Sequence, residues 1–408
     1  MDRLVALVQR SAKNRYKNND DVIDRLSSKY TVISLIVFAV LVSLNQYVRN
    51  PITCWAPKQF HGSHTKFTNN YCWVTGTYYL PWREEVLKDQ ARNKLHHSVS
   101  YYQWIPFILL GQALLFYFPS FIWHALNSKS GVDADSILET AHRLERTDSM
   151  ETRNKIMRMM TKQIDRFLSS RKSFKDPREI KLNSCMSRRG GAYLLALFLV
   201  SKVLYIANVI FQLITLSYVL GFKYSTFGID MMIRYLHPND WTEEDIVAFP
   251  RVTLCDFRIR GQDFHNVQNN TVECVLPVNM VNEKIFVFLW FWMVTVAFLS
   301  SLNLFVWMAR ALYHGDRLKF IQNRLGLNLL TYNDSSMVHS FVDEYLGQDG
   351  SLILRLVAHN TNHVTSTEII CDVWNYWKTN CSGTPSTLPI SRNLLSEMEM
   401  ADMKPLKS

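Results

Sequence analysis

Four cysteines occur as two pairs in two separate stretches of the 408-residue chain. Cys54 and Cys72 are separated by 17 residues, and Cys255 and Cys274 by 18. Zinc sites typically use the much closer Cys-x-x-Cys spacing, whereas thiols in an oxidising compartment form disulfides. The spacing therefore predicts two disulfides. Four cysteines allow three pairings, within or between the two stretches, and the spacing does not choose among them.

No catalytic motif accompanies these cysteines. The sequence contains no Walker loop, no His-Glu-x-x-His and no Gly-x-Ser-x-Gly. His96 and His97 adjoin, but neighbours in sequence do not by themselves make a metal site, and Glu84 and Glu85 are typical of a solvated surface. We therefore predict that the protein is not an enzyme and uses no metal or other cofactor.

The apolar residues that must position the cysteines are concentrated in four blocks. Mean hydropathy is only −0.06, although 48% of the residues are hydrophobic. A helix needs roughly 20 mostly apolar residues to cross a bilayer, because its backbone amides must be paired within the lipid. Four blocks of about this length or longer contain no Asp or Glu: residues 30–48, 104–126, 192–220 and 285–313. We predict four membrane spans in an all-α protein.

The basic residues indicate how the four spans are oriented. Residues 127–191 alone carry 15 Lys and Arg, whereas residues 49–103 and 221–284 together carry 13. By the positive-inside rule, both termini and residues 127–191 are cytoplasmic, and the other two segments are extracellular loops. This bias accounts for the net charge of +10 and favours contact with anionic lipid headgroups. Nucleic acid is not needed as a partner.

The predicted cytoplasmic segments show helical periodicity. From Asp133 to about Arg171, apolar residues recur at spacings of three and four, which predicts amphipathic helix. Residues 314–381 are also predicted to be partly helical, so the two segments would form a cytoplasmic dome. The N-terminal segment is residues 1–29, and residues 382–408, rich in Ser, Thr and Pro, are typical of a disordered tail. The three remaining cysteines are predicted to be free thiols on this side: Cys185, Cys371 and Cys381.

The residues before the second span resemble a family signature. Tyr101, Tyr102, Gln103 and Trp104, followed by Pro106, resemble the signature of the innexins, the invertebrate gap-junction channel proteins. In one small departure, the residue between Trp104 and Pro106 is Ile where the signature usually has Val.

Other features agree with this resemblance over most of the chain. The sequence reads Thr-Cys-Trp at 53–55 and Tyr-Cys-Trp-Val at 71–74, with two cysteines in each extracellular loop. Connexins, the vertebrate counterpart, have three cysteines per loop. Pannexins share the two-cysteine plan and are the nearest family with which the chain could be confused.

The resemblance implies a gap-junction channel subunit of the plasma membrane at cell–cell junctions. Roughly six to eight subunits, identical or mixed with related ones, would form a ring, and rings in apposed membranes would dock through their loops. It also implies disulfides between the loops. If the loops run antiparallel, Cys54 pairs with Cys274 and Cys72 with Cys255. The alternatives are an undocked, pannexin-like hemichannel and a non-conducting tetraspan adhesion or scaffold protein.

The resemblance also suggests pore residues. The first ten residues, MDRLVALVQR, are amphipathic, and in this family such a segment folds into the pore mouth as a funnel. Met1, Asp2 and Arg3 would then tune selectivity, with Arg49 and Lys58 as ring charges beyond the first span. The alternative for the N-terminus is an interfacial helix on the membrane.

We make predictions for two further residues, Lys202 and Asn269. Lys202 lies within the third span, and we expect it to snorkel toward the cytoplasm rather than face the bundle interior. Asn269 begins an Asn-Asn-Thr sequon in the second extracellular loop. A glycan on Asn269 would hinder docking and favour the hemichannel, although such sequons also arise by chance.

Overall fold

The computed structural model describes residues 21–56, 62–79, 98–127, 134–172, 192–237, 248–260, 267–326 and 332–382. The chain divides into two compact units. The membrane unit comprises residues 20–127 and 196–309, and the helical unit comprises residues 1–19, 128–195 and 310–408. The predictions for Met1, Asp2, Arg3, Lys58 and Cys185 fall outside the described residues.

Among the described residues, four helices are long and apolar enough to cross a membrane. They are α1 (Val22–Tyr47), α3 (Ile105–Asn127), α6 (Tyr193–Leu220) and α8 (Pro277–Leu312). The segment between α1 and α3 contains helix α2 (Gly62–Thr75), and the segment between α6 and α8 contains helix α7 (Tyr224–Leu236). The four-span, mainly helical fold predicted from the sequence is confirmed.

Two of these helices begin earlier than the apolar blocks. Helix α1 begins at Val22, where Asp21 caps it by accepting a 2.8 Å hydrogen bond from the Val22 backbone amide. A π-helical turn, Leu26–Tyr30, follows the first α turn. Helix α8 begins at Pro277, and proline suits the first turn because its missing N–H has no partner there. Charged residues between these starts and the apolar blocks hid them from an apolar count: Asp24, Arg25 and Lys29 in α1, and Glu283 and Lys284 in α8.

Apolar side chains from the spans and α7 form one core. Leu35 of α1, Leu109 and Phe116 of α3, and Phe286 and Met293 of α8 are fully buried in it. Since lipid tails are as apolar as these side chains, close van der Waals packing rather than exclusion from water stabilises such contacts within a membrane.

The described residues of the segments between the spans also contribute an antiparallel sheet of five strands, which the sequence analysis did not predict. Its order is β1-β5-β4-β2-β3, and β4 and β5 form a long hairpin. The strands are β1 (Thr53–Cys54), β2 (Thr77–Tyr78), β3 (Ser98–Val99), β4 (Val252–Arg260) and β5 (Val267–Val275). Strands from both inter-span segments therefore share one sheet.

In the described part of the helical unit, six α-helices pack around a core of their own. They are α4 (Ala134–Glu145), α5 (Met150–Lys172), α9 (His314–Arg324), α10 (Tyr332–Ser340), α11 (Gly347–Asn360) and α12 (His363–Ser382). The apolar stripe of α4, including Ile137 and Leu144, is fully buried. The ring of Phe341 packs 5.0 Å from that of Trp374. The buried Asp349 carboxylate accepts hydrogen bonds from the Leu194 and Leu195 amides at the start of α6.

Candidate functional site: the disulfide module and the base of the first span

Two disulfides join the first inter-span segment to the second. They link Cys54 to Cys274 and Cys72 to Cys255, across 220 and 183 residues of sequence. Cys54 and Cys274 lie opposite each other in β1 and β5. Together with the sheet, α2 and the turn Tyr101–Gln103, these bonds make a single body, called here the disulfide module.

The cysteine sulfurs also resemble a metal site in their spacing. Ligand atoms of Cys54, Cys72 and Cys274 lie within 4.8 Å of one another. Metal binding requires thiolates, however, and these sulfurs are bonded in disulfides. The arrangement therefore braces the module and does not offer ligands to an ion.

Alternation of buried and exposed residues explains how β4 faces helix α2. Thr253, Cys255 and Phe257 are buried, whereas Asp256 between them is exposed. Because successive side chains on a strand point to opposite faces, the buried set lies on one face. That face contacts α2 through the Cys255 disulfide and through the ring of Phe257, which lies 6.1 Å from that of Tyr71.

The signature residues connect the disulfide module to the spans. Tyr102 is fully buried, and its ring centroid lies 4.6 Å from that of Trp73. The Gln103 side-chain amide donates to the Trp73 carbonyl, and the Gln46 amide of α1 donates to the Tyr102 carbonyl at 2.6 Å. Burial raises the pKa of Tyr102 to about 12. The Tyr101 hydroxyl donates to the Ala248 carbonyl at 3.1 Å.

The end of the signature sets the start of α3. Trp104 is 63% exposed, whereas Ile105 is fully buried and Pro106 is buried in the first helical turn. A first-turn proline leaves no hydrogen bond unmade. Ile105, the position at which the sequence departs from the signature, is therefore in the core, where a Val would leave space.

Most of the candidate pore residues lie outside the described part of the chain. Arg49 is exposed directly after α1, and it alone of the five candidates lies in the part of the chain that the structure describes. Trp55, just beyond it, is 84% exposed. Arg49 therefore lies between the end of α1 and strand β1.

Asn269 lies in a regular strand. It is exposed on β5, opposite Arg258 of β4. The hydroxyl of Thr271, the third residue of the sequon, donates to Asp256 at 2.7 Å. The Tyr78 hydroxyl also donates to Asp256, at 3.1 Å, and burial together with this carboxylate raises the pKa of Tyr78.

Lys202 does not snorkel, so that prediction is wrong. Its side chain is 2% exposed, and its Nζ atom lies 3.0 Å from Asp21 Oδ2 and 2.6 Å from Asp24 Oδ2. The carboxylates come from the base of α1, so the ammonium is satisfied within the bundle. Sequence reasoning missed Asp21 and Asp24. The signal was present, since an ionisable residue in a span usually faces a partner.

These features define a class of protein: a multi-pass membrane protein whose two inter-span segments are joined by disulfides. The innexin family model matches residues 20–377. The chain is 34% identical to innexin unc-9 of Caenorhabditis elegans, over 90% of this chain and 94% of that protein. It is 33% identical to innexin-3 of the same species, over 86% and 82%. It is 26% identical to innexin-19 of Caenorhabditis briggsae, over 89% and 87%.

The chain belongs to the innexin family. It is a gap-junction channel subunit, a multi-pass membrane protein that acts in an oligomeric channel. Innexins are channel proteins rather than enzymes. Membership does not favour the hemichannel or the non-conducting scaffold considered as alternatives.

Proposed function

We propose that rings of roughly six to eight subunits in apposed membranes dock through the disulfide module and pass ions and small molecules between cells. The observation that supports this proposal is the structure of the disulfide module. Two disulfides and one sheet hold both inter-span segments in a single body, and Trp55 projects from it with 84% of its surface exposed. Tryptophan is enriched at the centres of protein interfaces, so a rigid, aromatic surface suits docking.

The orientation follows from charge. The 15 Lys and Arg in residues 127–191 favour a cytoplasmic position for that segment and for both termini. The disulfide module is then extracellular, where disulfides persist. Residues 127–191 and 314–381 would then form the cytoplasmic dome, with anionic lipid headgroups as neighbours at the membrane.

The pore is lined by the N-terminal residues and by the end of the first span. Met1, Asp2 and Arg3 would sit at its narrow mouth, and Arg49 and Lys58 would form rings of charge beyond α1. Rings of like charge repeated by symmetry tune which ions pass. Exposed apolar side chains of α1, such as Val37 and Val40, would then contact neighbouring subunits or lipid.

The proposal is tested by expressing the chain in paired cells that lack native gap junctions. Junctional current is expected with the wild-type chain and lost in Cys54→Ser and Cys274→Ser at equal surface expression. Cys371→Ser is the matched control, because this thiol is outside both disulfides. Current across single-cell membranes without any junctional current would overturn docking, and absence of both currents would overturn the homomeric channel.

We propose Asn269 as a glycan acceptor on the extracellular module of subunits that have not docked, because a glycan there would hinder docking. Its support is an exposed side chain within a sequon. Digestion with an N-glycosidase is expected to increase gel mobility of the wild-type chain but not of Asn269→Gln. Equal gel mobility before and after digestion would show that Asn269 carries no glycan.

A further inference from the structure

Helix α7 has an exposed stripe of apolar side chains along one side. The residues of this surface, called here the α7 stripe, recur at the spacing of three and four that places side chains on one helix face. Its members are 44–61% exposed: Ile229, Met232, Ile233 and Leu236. Exposed apolar residues that occur singly are ordinary, whereas a contiguous apolar patch marks a surface that contacts another molecule.

The other two faces of α7 differ from this stripe. One face is buried against the bundle through Tyr224, Phe227 and Gly228. The other face is polar, since Thr226 and Asp230 are exposed and the Thr226 hydroxyl donates to Asp230 at 3.1 Å. A helix on the surface of a soluble protein has one apolar face, which packs on the core. The second apolar face of α7 therefore indicates a second apolar environment.

Contacts with α8 fix the level of α7 along the spans. The Tyr224 hydroxyl donates to the Phe286 carbonyl at 2.7 Å, and the Trp290 indole donates to the Ser225 carbonyl at 3.1 Å. The apolar block of α8 begins at residue 285, directly after an exposed lysine. At 1.5 Å per residue, Trp290 lies about 8 Å further along α8 than the start of this block. Helix α7 is therefore level with the end of the block that is nearest the disulfide module.

This level is that of the boundary between lipid headgroups and acyl chains. Amphipathic helices that lie on a membrane bury their apolar face about 5–10 Å into this boundary. The two hydrogen bonds between α7 and α8 suit the same position, because polar groups at the depth of the acyl chains must be paired within the protein. The level of α7 therefore favours acyl chains as the partner of the α7 stripe.

Exposed apolar residues also occur on the neighbouring spans at this level. Helix α7 begins beside the last turn of α6, where the Ser217 hydroxyl accepts a 3.1 Å hydrogen bond from the Tyr224 amide. Tyr218 in that turn is exposed, as is Phe291, the residue after Trp290 in α8. The α7 stripe is therefore one part of the apolar surface at this level rather than an isolated patch.

The chemistry of α7 favours phospholipid over a second copy of the chain. The aliphatic side chains of the stripe offer no strong hydrogen-bonding group, whereas protein interfaces average about one hydrogen bond per 100–200 Å². Lys223 is exposed directly before α7, and Arg234 lies one turn beyond Asp230 on the polar face. Long basic side chains cover apolar surface with their stems and hold their charge at the headgroups, where phosphates pair with it.

We propose that the α7 stripe is a lipid-binding surface, inserted among the acyl chains of phospholipids on the side of the membrane where the disulfide module lies. The polar face of α7 is then turned toward headgroups and water. This contact holds the start of the second inter-span segment at the surface of the bilayer. The inference goes beyond the proposed function, since it requires neither docking of rings nor conductance.

The first test is photocrosslinking of the full-length protein in nanodiscs of palmitoyl-oleoyl-phosphatidylcholine. The photoreactive amino acid p-benzoylphenylalanine is placed at Met232 or Leu236 of the stripe, with Asp230 of the polar face as the matched control. All three positions are exposed, so the larger side chain displaces no buried contact. Because the benzophenone group inserts into nearby C–H bonds, the mass of the product identifies the molecule that lies against each position.

Irradiation is expected to add the mass of one phosphatidylcholine to the chain, in at least about fivefold higher yield at Met232 and Leu236 than at Asp230. Intact-protein mass spectrometry measures this yield. A product of twice the chain mass would show that a second copy covers the stripe. An unchanged mass would show that water or another segment of the same chain lies there. Either result, or equal lipid addition at Asp230, would overturn the proposal.

The second test uses the wild-type chain, so it does not depend on the folding of any variant. Met232 of the stripe and Met150 of α5 are both more than half exposed. In the same nanodiscs, chloramine-T is expected to oxidise Met232 at least about fivefold more slowly than Met150, because acyl chains exclude this water-soluble oxidant. Peptide mass spectrometry measures both rates, and equal rates would show a stripe in water and overturn the proposal.

Discussion

The ring of Tyr102 packs 4.6 Å from the ring of Trp73, and Tyr102 is fully buried. Tyr102 lies in the signature just before α3, and Trp73 lies in α2 beside Cys72. The signature therefore fixes the disulfide module to the second span. Burial of Tyr102 indicates that this residue maintains the shape of the module.

Tyr102→Ala is expected to destabilise the protein by about 3–5 kcal/mol, the cost of removing a large buried aromatic side chain. Tyr102→Phe should cost far less, because the hydroxyl contact with the Trp73 carbonyl is long, at 3.5 Å. Thermal unfolding in detergent measures both. Trp104→Ala, at an exposed position, is the control, and a loss in Tyr102→Ala no larger than in this control would contradict the packing argument.

Gly228 of α7 is expected to tolerate no side chain. A Cβ atom there would lie 2.0 Å from Trp290 Cε3, so the indole must move and its 3.1 Å hydrogen bond to the Ser225 carbonyl is lost. We expect Gly228→Ala to cost about 1–3 kcal/mol. In the control Gly111→Ala, no atom lies within 4 Å of the new Cβ, and helix propensity favours alanine. Equal melting temperatures for the two variants would refute this prediction.

Peptide mapping of the non-reduced protein is expected to yield the pairs Cys54–Cys274 and Cys72–Cys255. The double variant Cys72→Ser/Cys255→Ser should lose about 2–5 kcal/mol of stability, since the bond closes a very long loop in the unfolded chain. Each single variant should be at least as unstable, because it leaves an unpaired thiol. Recovery of a Cys54–Cys72 peptide would show that the bonds run within the segments.

Cys371 is expected to react slowly with iodoacetamide. Burial, with Asp372 and Glu368 nearby, raises its pKa from 9.0 to about 11. Because the thiolate is the reacting form, a pKa two units higher predicts about a hundredfold slower alkylation at pH 8 than in the unfolded chain. The rate should rise with pH and level off above the pKa. Mass spectrometry of the Cys371 peptide, with the urea-unfolded chain as control, measures it; equal rates would contradict burial.

The spans could be predicted from sequence because they depend on local composition. Runs of apolar residues show which stretches are long enough to cross a bilayer. The observed starts of α1 at Val22 and of α8 at Pro277 also depend on helix capping and on charged residues that are paired with other parts of the chain. Lys202 illustrates the limit. Its partners lie 178 and 181 residues away, so the sequence indicates that a partner is needed but not which residue provides it.

The sheet was missed for two different reasons. Strand β4 carried a visible signal, since Thr253, Cys255 and Phe257 alternate with residues that face outward. Strands β1, β2 and β3 have only two residues each, and no local pattern distinguishes so short a strand from a loop. Their pairing is decided by tertiary contacts, including the disulfides.

The 220-residue separation of Cys54 and Cys274 also determines how early this disulfide can form while the protein is being synthesised. At about 5–20 residues per second, the ribosome needs roughly 10–45 seconds to add that stretch, and the fourth span must follow before the chain is complete. Cys54 has no native partner throughout this interval, and Cys72 has none for the 183 residues until Cys255, yet the two are available to each other. Oxidation that arrives early traps the nascent chain in a wrong bond, so the yield of correctly assembled subunits depends on delayed oxidation or on subsequent isomerisation.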